Sequence, residues 1–333
     1  MKVLNKKALF IGLLFCIFVM SPSGAVFGKE IELKLASWTT PKHFASISIT
    51  QFIDGVNEKG QGKVKIIHYP GGQLYGPKDL HKVVAKGLVD MGQALQPRMI
   101  NMVPMLQGVY LPFAFDNLDQ VVAGYEGESG EILDKAMAKK NLKMIYPIFN
   151  DGIQLFSNKA VLKTVDDFNG LRVLTTSNVF SRTTANLGAA PDTSIAFTDQ
   201  YMALKRKVAD ATYTTTTAGY FRKTYEVCNH VTYINMAHAT LPVIINLKTW
   251  KKLPDDVKAL MMEEGKKAMQ FSIASAKGWE KKFKGVLIKK GATIETLQVA
   301  ERNIMKEKAR SVWMDWAKKT GGDAQRLLEL KTN

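Results

Sequence analysis

The chain has 333 residues, 46 % of them hydrophobic, and a formal net charge of +16. Its lysines are spread along the chain and do not cluster with stacking aromatic residues, so a nucleic-acid partner is not expected. The two cysteines, Cys16 and Cys228, are too few for a thiolate zinc site, and we expect no cofactor.

The N-terminal segment predicts export. Three lysines precede the apolar run Ala8 to Met20, and a short turn-prone stretch ends at Ala25. This order is typical of a secretory signal, and its apolar core is too short for a membrane span. We therefore expect residues 1–25 to be a cleaved signal peptide and the mature chain to be an exported, soluble protein without an internal disulfide. An uncleaved N-terminal anchor is the alternative.

The next segment alternates between strand and helix patterns. Apolar and polar residues alternate in Ile31 to Ala36, and a helical pattern then ends at Gly60. The predicted elements are strand 31–36, helix 44–59, strand 64–69, helix 77–87 and strand 89–91. This order favours a mostly parallel sheet covered by helices.

A second unit repeats the order of the first. Its predicted elements are strand 169–175, helix 179–187, strand 192–195, helix 198–207 and strand 208–213. A long helix begins at Leu253-Pro-Asp-Asp256, where proline and two acids suit a helix N-terminus, and extends past Trp279. The sequence thus predicts an α/β protein with two similar lobes and a ligand cleft between them.

Motifs of the common enzyme classes are absent. The chain has no HExxH, GxSxG or GxGxxG sequence, and its five histidines lack metal-ligand spacing. We expect a protein that is not an enzyme and holds no metal.

Eight short motifs in a fixed order resemble the substrate-binding proteins of tripartite ATP-independent periplasmic (TRAP) transporters, of the dicarboxylate-receptor type. They are Gly62-Lys-Val-Lys-Ile66, Tyr69-Pro-Gly-Gly-Gln-Leu74, Gly87-Leu-Val-Asp-Met91, Leu111-Pro-Phe113, Ser157-Asn158-Lys159, Asp167-Phe-Asn-Gly-Leu171, Tyr201-Met-Ala-Leu204 and Leu253-Pro-Asp-Asp256. The resemblance implies two α/β lobes joined by a hinge and braced by a long helix. It also implies a monomeric receptor that hands one small solute to the membrane permease subunits of a TRAP transporter.

From this resemblance we assign residues 26–150 and 240–279 to lobe I. Lobe II then comprises residues 151–239 and 280–333.

The chain departs from the resembled family at its carboxylate clamp. Family members usually place an arginine at the end of a Gly-Leu-Lys-Ile-Arg sequence, and Leu174 stands there in Gly170-Leu-Arg-Val-Leu174. Arg172 is displaced along the strand by about 7 Å, and Ile153 stands where some members carry a second arginine. Because a buried arginine without an anion is costly, leucine suits a ligand that has no carboxylate there.

We therefore expect a neutral or aromatic solute. The alternative is a small organic acid held by another cation such as Arg98. Two other functional classes stay open: a sensor subunit that docks on a signalling receptor, and a periplasmic enzyme on a two-lobed scaffold.

Alignment with the resembled family places further candidate ligand-binding residues near the cleft. They are Trp38, Phe149, Asn150, Thr176, Phe180, Phe197, Tyr213, Thr214 and His238. Trp38 and Phe197 could equally belong to the core, the threonine run 214–217 could be only a strand between lobes, and His238 could cap the crossing to the long helix.

Overall fold

The computed structural model describes residues 29–175, 177–196 and 198–332. The predicted signal peptide, residues 1–25, lies outside the described residues, as do the candidate site residues Thr176 and Phe197.

Twelve strands are found in the part of the chain that the structure describes. They are β1 (Ile31–Ala36), β2 (Val64–Tyr69), β3 (Met91–Gln93), β4 (Leu142–Tyr146), β5 (Phe149–Ser157), β6 (Arg172–Leu174), β7 (Ala190–Asp192), β8 (Ala211–Thr215), β9 (His230–Tyr233), β10 (His238–Thr240), β11 (Val243–Asn246) and β12 (Thr293–Thr296).

Twelve α-helices accompany these strands in the same described ranges. They are α1 (Phe44–Lys59), α2 (Leu80–Lys86), α3 (Gln96–Met99), α4 (Leu118–Ala123), α5 (Gly127–Ala138), α6 (Asn178–Asn186), α7 (Gln200–Lys205), α8 (Thr216–Phe221), α9 (Leu247–Lys252), α10 (Asp255–Lys289), α11 (Val299–Thr320) and α12 (Ala324–Thr332). Three short 3₁₀ helices span Pro104–Tyr110, Val165–Phe168 and Thr224–Glu226.

The strands form two sheets, each the centre of one lobe. The sheet of lobe I has the order β2-β1-β3-β11-β4, and that of lobe II has the order β12-β9-β5-β8-β6-β7 with β10 paired to β5. In lobe I, β1 is parallel to β2 and β3, while β11 is antiparallel to β3 and β4. In lobe II, β6 is parallel to β7 and β8, and β5 is antiparallel to β8 and β9.

Local sequence explains why the first elements form where they do. In β1 the side chains of Leu33 and Leu35 are buried while Glu32 and Lys34 are exposed, as the period of a half-buried strand requires. The ring of His43 caps α1 by accepting a hydrogen bond from the backbone N–H of Ala45.

The chain crosses between the lobes through two short links and one long helix. Residues 147–148 join β4 to β5, and residues 241–242 join β10 to β11. Helix α10 has 35 residues, so it is about 52 Å long. Its Val257, Met261 and Ala268 join a core cluster of lobe I, and its Leu287 joins one of lobe II. This helix therefore braces both lobes.

Helices α11 and α12 form a second connection between the lobes. The guanidinium of Arg302 in α11 donates to the carbonyl oxygens of Phe115 (2.6 Å) and Asn235 (3.3 Å) and pairs with Asp116. Farther along α11, the indole N–H of Trp313 donates to the carbonyl oxygen of Pro112 at 2.9 Å.

Helix α12 then lies against lobe I. A Cβ on Gly108 would meet the side chain of Leu327, and Arg326 pairs with Glu128 in α5 through two nitrogens, each at 2.7 Å. We predicted residues 280–333 as part of lobe II, and these contacts lead us to propose that α12 be counted with lobe I.

The helices of the described residues include none that combines the length and the apolar character needed to cross a bilayer.

Candidate functional site

The strand directions bring the carboxyl ends of several strands to one place between the lobes. Gln93 at the end of β3 pairs with Val243, the first residue after a crossing link. On the other side, Thr215 at the end of β8 pairs with Ile153, near the start of β5. In α/β proteins, ligands bind beyond the carboxyl ends of strands. We call the region between the ends of β1 and β3 and the ends of β6 and β8 the interlobe cleft.

On the lobe I side, Gln93 organises the loop that follows β1. Its buried Oε1 atom accepts hydrogen bonds from the backbone N–H groups of Trp38 (3.2 Å) and Thr39 (3.3 Å) and from the hydroxyl of Thr39 (3.0 Å). Its Nε2 atom and the Nε1 atom of Trp38 are both buried and have no hydrogen-bond partner among the described residues. Lobe I thus presents two unused N–H donors.

On the lobe II side, Asp151 stands near the start of β5 and is 1 % exposed. Its Oδ2 atom accepts a hydrogen bond from the backbone N–H of Thr217 at 2.9 Å. Its Oδ1 atom and the Oγ1 atom of Thr217 are buried without a partner among residues 29–175, 177–196 and 198–332. Burial raises the pKa of Asp151 to about 7, against the opposing effect of the Thr217 N–H, and the charge of Glu280 in α10 raises it further.

These four unused polar atoms define what the cleft can bind. A buried donor or acceptor without a partner costs free energy of about 1–3 kcal/mol, so four such atoms beside the crossing links indicate a place that a polar molecule fills. No group of three or more metal-ligating side chains is found in the described part of the chain. The arrangement suits hydrogen bonding of a small organic solute.

The structure buries several of the predicted site residues in the core. Phe180 stacks on Tyr110, with ring centroids 5.0 Å apart, and contacts the ring of Tyr213, whose hydroxyl pairs with that of Thr184 at 3.0 Å. Phe149 is also fully buried and packs edge-on against Tyr125. Ligand contact by these three aromatic residues stays a prediction.

Leu174 is 1 % exposed and belongs to an apolar cluster with Phe156, Leu204 and Leu287. Thr214, the neighbour of Gln154 across the β5–β8 pair, is buried as well.

The polar candidates Asn150 and His238 lie together beside the crossing links. The Nδ1 atom of His238 is 3.4 Å from the carbonyl oxygen of Asn150, and burial lowers the pKa of His238 to about 4. The side chain of Asn150 accepts a hydrogen bond from the backbone N–H of Asp151 at 3.0 Å, which places this pair next to the cleft acid.

Arg98 is exposed on α3, a helix that contacts β10. Burial lowers the pKa of His81 in α2, and the charge of Arg98 lowers it further.

Sequence reasoning named Trp38 and the threonine run 214–217 as candidates, but it did not name Gln93 or Asp151, and ligand contact by any of them stays a prediction. Two local signals pointed to them: Gln93 is a polar residue in a short strand whose residues are all buried, and Asp151 stands near the start of the strand that enters lobe II. Neither signal reveals that a polar atom lacks a hydrogen-bond partner, because its possible partners lie far away in sequence.

Comparison with known proteins identifies relatives of the whole chain. Residues 35–320 match the model of "Bacterial extracellular solute-binding protein, family 7". The chain is 26 % identical over 296 residues to the C4-dicarboxylate-binding periplasmic protein DctP of Vibrio cholerae serotype O1, covering 88 % of this chain and 89 % of that protein.

Two solved structures have the same fold. A TRAP periplasmic solute-binding protein from Ochrobactrum anthropi superposes with a TM-score of 0.84 at 20 % identity, covering 91 % of this chain and 95 % of the other. One from Desulfovibrio salexigens with bound orotic acid has a TM-score of 0.81 at 20 % identity, covering 91 % and 98 %. The predicted two-lobed α/β fold with a long helix is confirmed.

Proposed function

Because the chain belongs to the bacterial extracellular solute-binding proteins of family 7, we propose that it is the receptor of a TRAP-type importer for a solute without a clamped carboxylate. The predicted resemblance to TRAP substrate-binding proteins is confirmed, and these proteins bind solutes and are not enzymes. Beyond family membership, the proposal states two things. The ligand is a neutral or aromatic solute, and the receptor delivers it to the membrane permease subunits. The proposal also places the mature chain in the periplasm as a monomer.

The observation that carries the ligand class is the environment of Leu174. This side chain stands where the resembled family has its clamp arginine, and it is packed among Phe156, Leu204 and Leu287. A carboxylate placed against these apolar groups would lose water without gaining a bidentate partner. The unused donors of Trp38 and Gln93 are uncharged, which suits a carbonyl or hydroxyl oxygen of the ligand.

A small organic acid is the second candidate. The relatives named above include proteins that bind acids, and Arg98 is an exposed cation with no ion pair among the described residues. In this case Arg98 would take the place of the missing clamp arginine.

A thermal-shift screen separates the two candidates. Neutral and aromatic solutes, succinate, sugar acids and orotate are each added to natively purified protein and to its Arg98→Gln variant. We expect the largest rise in melting temperature from solutes without a carboxylate, equal in both proteins because Arg98 is not part of the proposed site. Strong stabilisation by acids alone, lost in Arg98→Gln, would replace the proposal by the second candidate.

A further inference from the structure

We propose that the hinge end of the interlobe cleft binds a positively charged nitrogen of the solute, with Asp151 as its main partner and Glu280 as a second carboxylate. This inference rests on the proposed function, because it names the chemistry of one end of the same ligand. Within the ligand class proposed above, this selects an aromatic amine or guanidine over a neutral compound, again without a clamped carboxylate.

The position of Asp151 is the first argument. It lies on β5 beside the last residues of β8 and the first turn of α8, where the backbone N–H of Thr217 donates to Oδ2. This contact occupies one carboxylate oxygen, while Oδ1 and the neighbouring Thr217 Oγ1 are buried and unused within the described residues. Burial raises the pKa of Asp151 and the nearby hydroxyls of Thr215 and Thr217 oppose this, yet neither Oδ1 nor Thr217 Oγ1 has a partner at hydrogen-bond geometry among the described residues. Two such oxygens side by side suit a group that brings two or more N–H bonds.

Charge is the second argument. Glu280 of α10 lies close enough for its charge to act on Asp151, and burial raises the pKa of Glu280 too. Neither carboxyl group forms an ion pair with any described residue. The Nζ atom of Lys284, one turn farther along α10, lies over the ring of Tyr233 at 4.3 Å from its centroid. Asp151 is buried and Glu280 is partly buried, and the charge of Lys284 opposes the effect of burial on the pKa of Glu280. Asp151 therefore lacks a compensating cation among the described residues, and a ligand cation would supply one.

Aromatic surface beside Glu280 is the third argument. Trp279 contacts His43 of lobe I and Phe221 of lobe II, with ring centroids 5.4 and 6.1 Å apart. Phe221 is 57 % exposed although it belongs to this group, so part of its aromatic surface is open. Cations bind to such aromatic faces.

Asp151 also has a structural role, as an acceptor for the first turn of α8. An asparagine keeps this role, because its side-chain oxygen can accept the N–H of Thr217 while the charge is lost. The Asp151→Asn variant therefore distinguishes the role of Asp151 in ligand binding from its role in folding. A purely structural carboxylate would leave solute binding unchanged in this variant.

The test is a thermal-shift panel built from matched compounds, followed by isothermal titration of the strongest binder. Each amine or guanidine in the panel has an alcohol and a carboxylate of the same skeleton, such as phenethylamine, phenethyl alcohol and phenylpropionate. The proteins are the natural chain, Asp151→Asn, Glu280→Gln and the control Glu263→Gln, which removes an exposed carboxylate from the same helix.

We expect an amine or guanidine to stabilise the natural chain most. Its affinity should fall about 30-fold or more in Asp151→Asn, since one partner of a buried charged pair is lost. The loss should be smaller in Glu280→Gln, and binding should be unchanged in Glu263→Gln. Without ligand, Asp151→Asn should melt no lower than the natural chain, because it removes a carboxyl group whose charged form burial disfavours.

Three results would overturn the inference: no stabilising amine or guanidine in the panel, a stronger effect of the matching alcohol, or equal amine binding in Asp151→Asn. If alcohols bind and amines do not, the receptor for a neutral solute stands and only the charged subsite fails. If carboxylates alone bind, the proposed ligand class itself fails.

Discussion

At the scale of single residues, buried polar groups distinguish this protein most from a plain α/β scaffold. The side-chain oxygen of Gln93 accepts hydrogen bonds from the β1–α1 loop, while its nitrogen has no partner among the described residues. One oxygen of Asp151 accepts a hydrogen bond from α8, while the other has no partner among the same residues. In both side chains the hydrogen-bonded atom fixes the position of the group. The atom without a partner can therefore bind a solute without rearrangement of the side chain. This preorganisation lowers the entropy that a bound solute must overcome.

His238 gives a pH-dependent prediction at the same scale. Its folded pKa of about 4 lies below the ordinary value of 6.5, mainly because the ring is buried, and the charge of Arg302 lowers it as well. The ring therefore stabilises the fold at pH values above 6.5, and this contribution is lost as the pH falls toward 4, by at most about 3 kcal/mol.

The check is urea unfolding of the natural chain and His238→Gln from neutral pH to about pH 4. Glutamine can keep a hydrogen bond to the carbonyl of Asn150 and does not titrate. We expect the free energy of unfolding of the natural chain to fall more steeply with decreasing pH than that of the variant. Parallel curves would show that the histidine keeps its ordinary pKa in the folded protein.

At the scale of elements, the sequence predicted best where the signals are local. The bounds of β1, α1 and β2 agree with the prediction, because alternation, the helical period and the breaker Gly60 all lie within a few residues. Strand β8 was predicted at 208–213 and is found at 211–215. A left-handed turn at Lys207 delays its start, and the pairing of Thr214 and Thr215 with β5 extends its end.

The cleft was predicted less completely than the fold. Trp38 could be named as a candidate because it follows a strand that is easy to recognise, and its contact with a ligand stays a prediction. Thr217 and Asp151, however, are joined by a hydrogen bond across 66 residues, and no local pattern reports such a pair. For Phe180 and Tyr213, ligand contact stays a prediction, and their alignment near the cleft did not reveal that Phe180 stacks on Tyr110 and contacts the ring of Tyr213.

Helix α10 gives a prediction at the scale of elements. Gly278 and Gly285 lie in its interior, and a Cβ at either position would meet no atom within 4 Å. Alanine restricts the unfolded chain and favours the helix, so Gly278→Ala and Gly285→Ala should each raise the free energy of unfolding by about 0.5–1 kcal/mol.

Gly265→Ala in the same helix is the control. Its Cβ would lie 3.2 Å from side-chain atoms of both Ile145 and Tyr146, so crowding should offset the gain. Urea unfolding of the three variants measures the difference. Equal gains at all three positions would contradict the crowding at Gly265.

At the scale of the whole molecule, two connections join the lobes besides the short crossing links. Helix α10 contacts α1 and α8, while α11 and α12 connect the lobes through Arg302, Trp313 and the contacts of α12 with lobe I. A hinge motion between the lobes must therefore accommodate both connections.

Arg302 carries much of the second connection, since it bonds to carbonyl oxygens of both lobes. Arg302→Ala would leave these oxygens and Asp116 without their partner and should lower the free energy of unfolding by about 2–3 kcal/mol. Arg310→Ala, which removes an exposed pair with Glu307, should cost less than about 1 kcal/mol. Calorimetric melting of both variants measures this contrast, and similar losses would remove Arg302 from its role between the lobes.

The order of strands in lobe I has a consequence for how the polypeptide acquires its shape during synthesis. Strand β11 lies between β3 and β4, yet the ribosome produces it only after strands β5 to β10 of lobe II. A nascent chain that ends before residue 243 leaves an open slot in its first sheet, flanked by two unpaired edges. The N-terminal half thus cannot mature ahead of the C-terminal half, and the last nine-residue helix completes the molecule by returning to the lobe that was begun first.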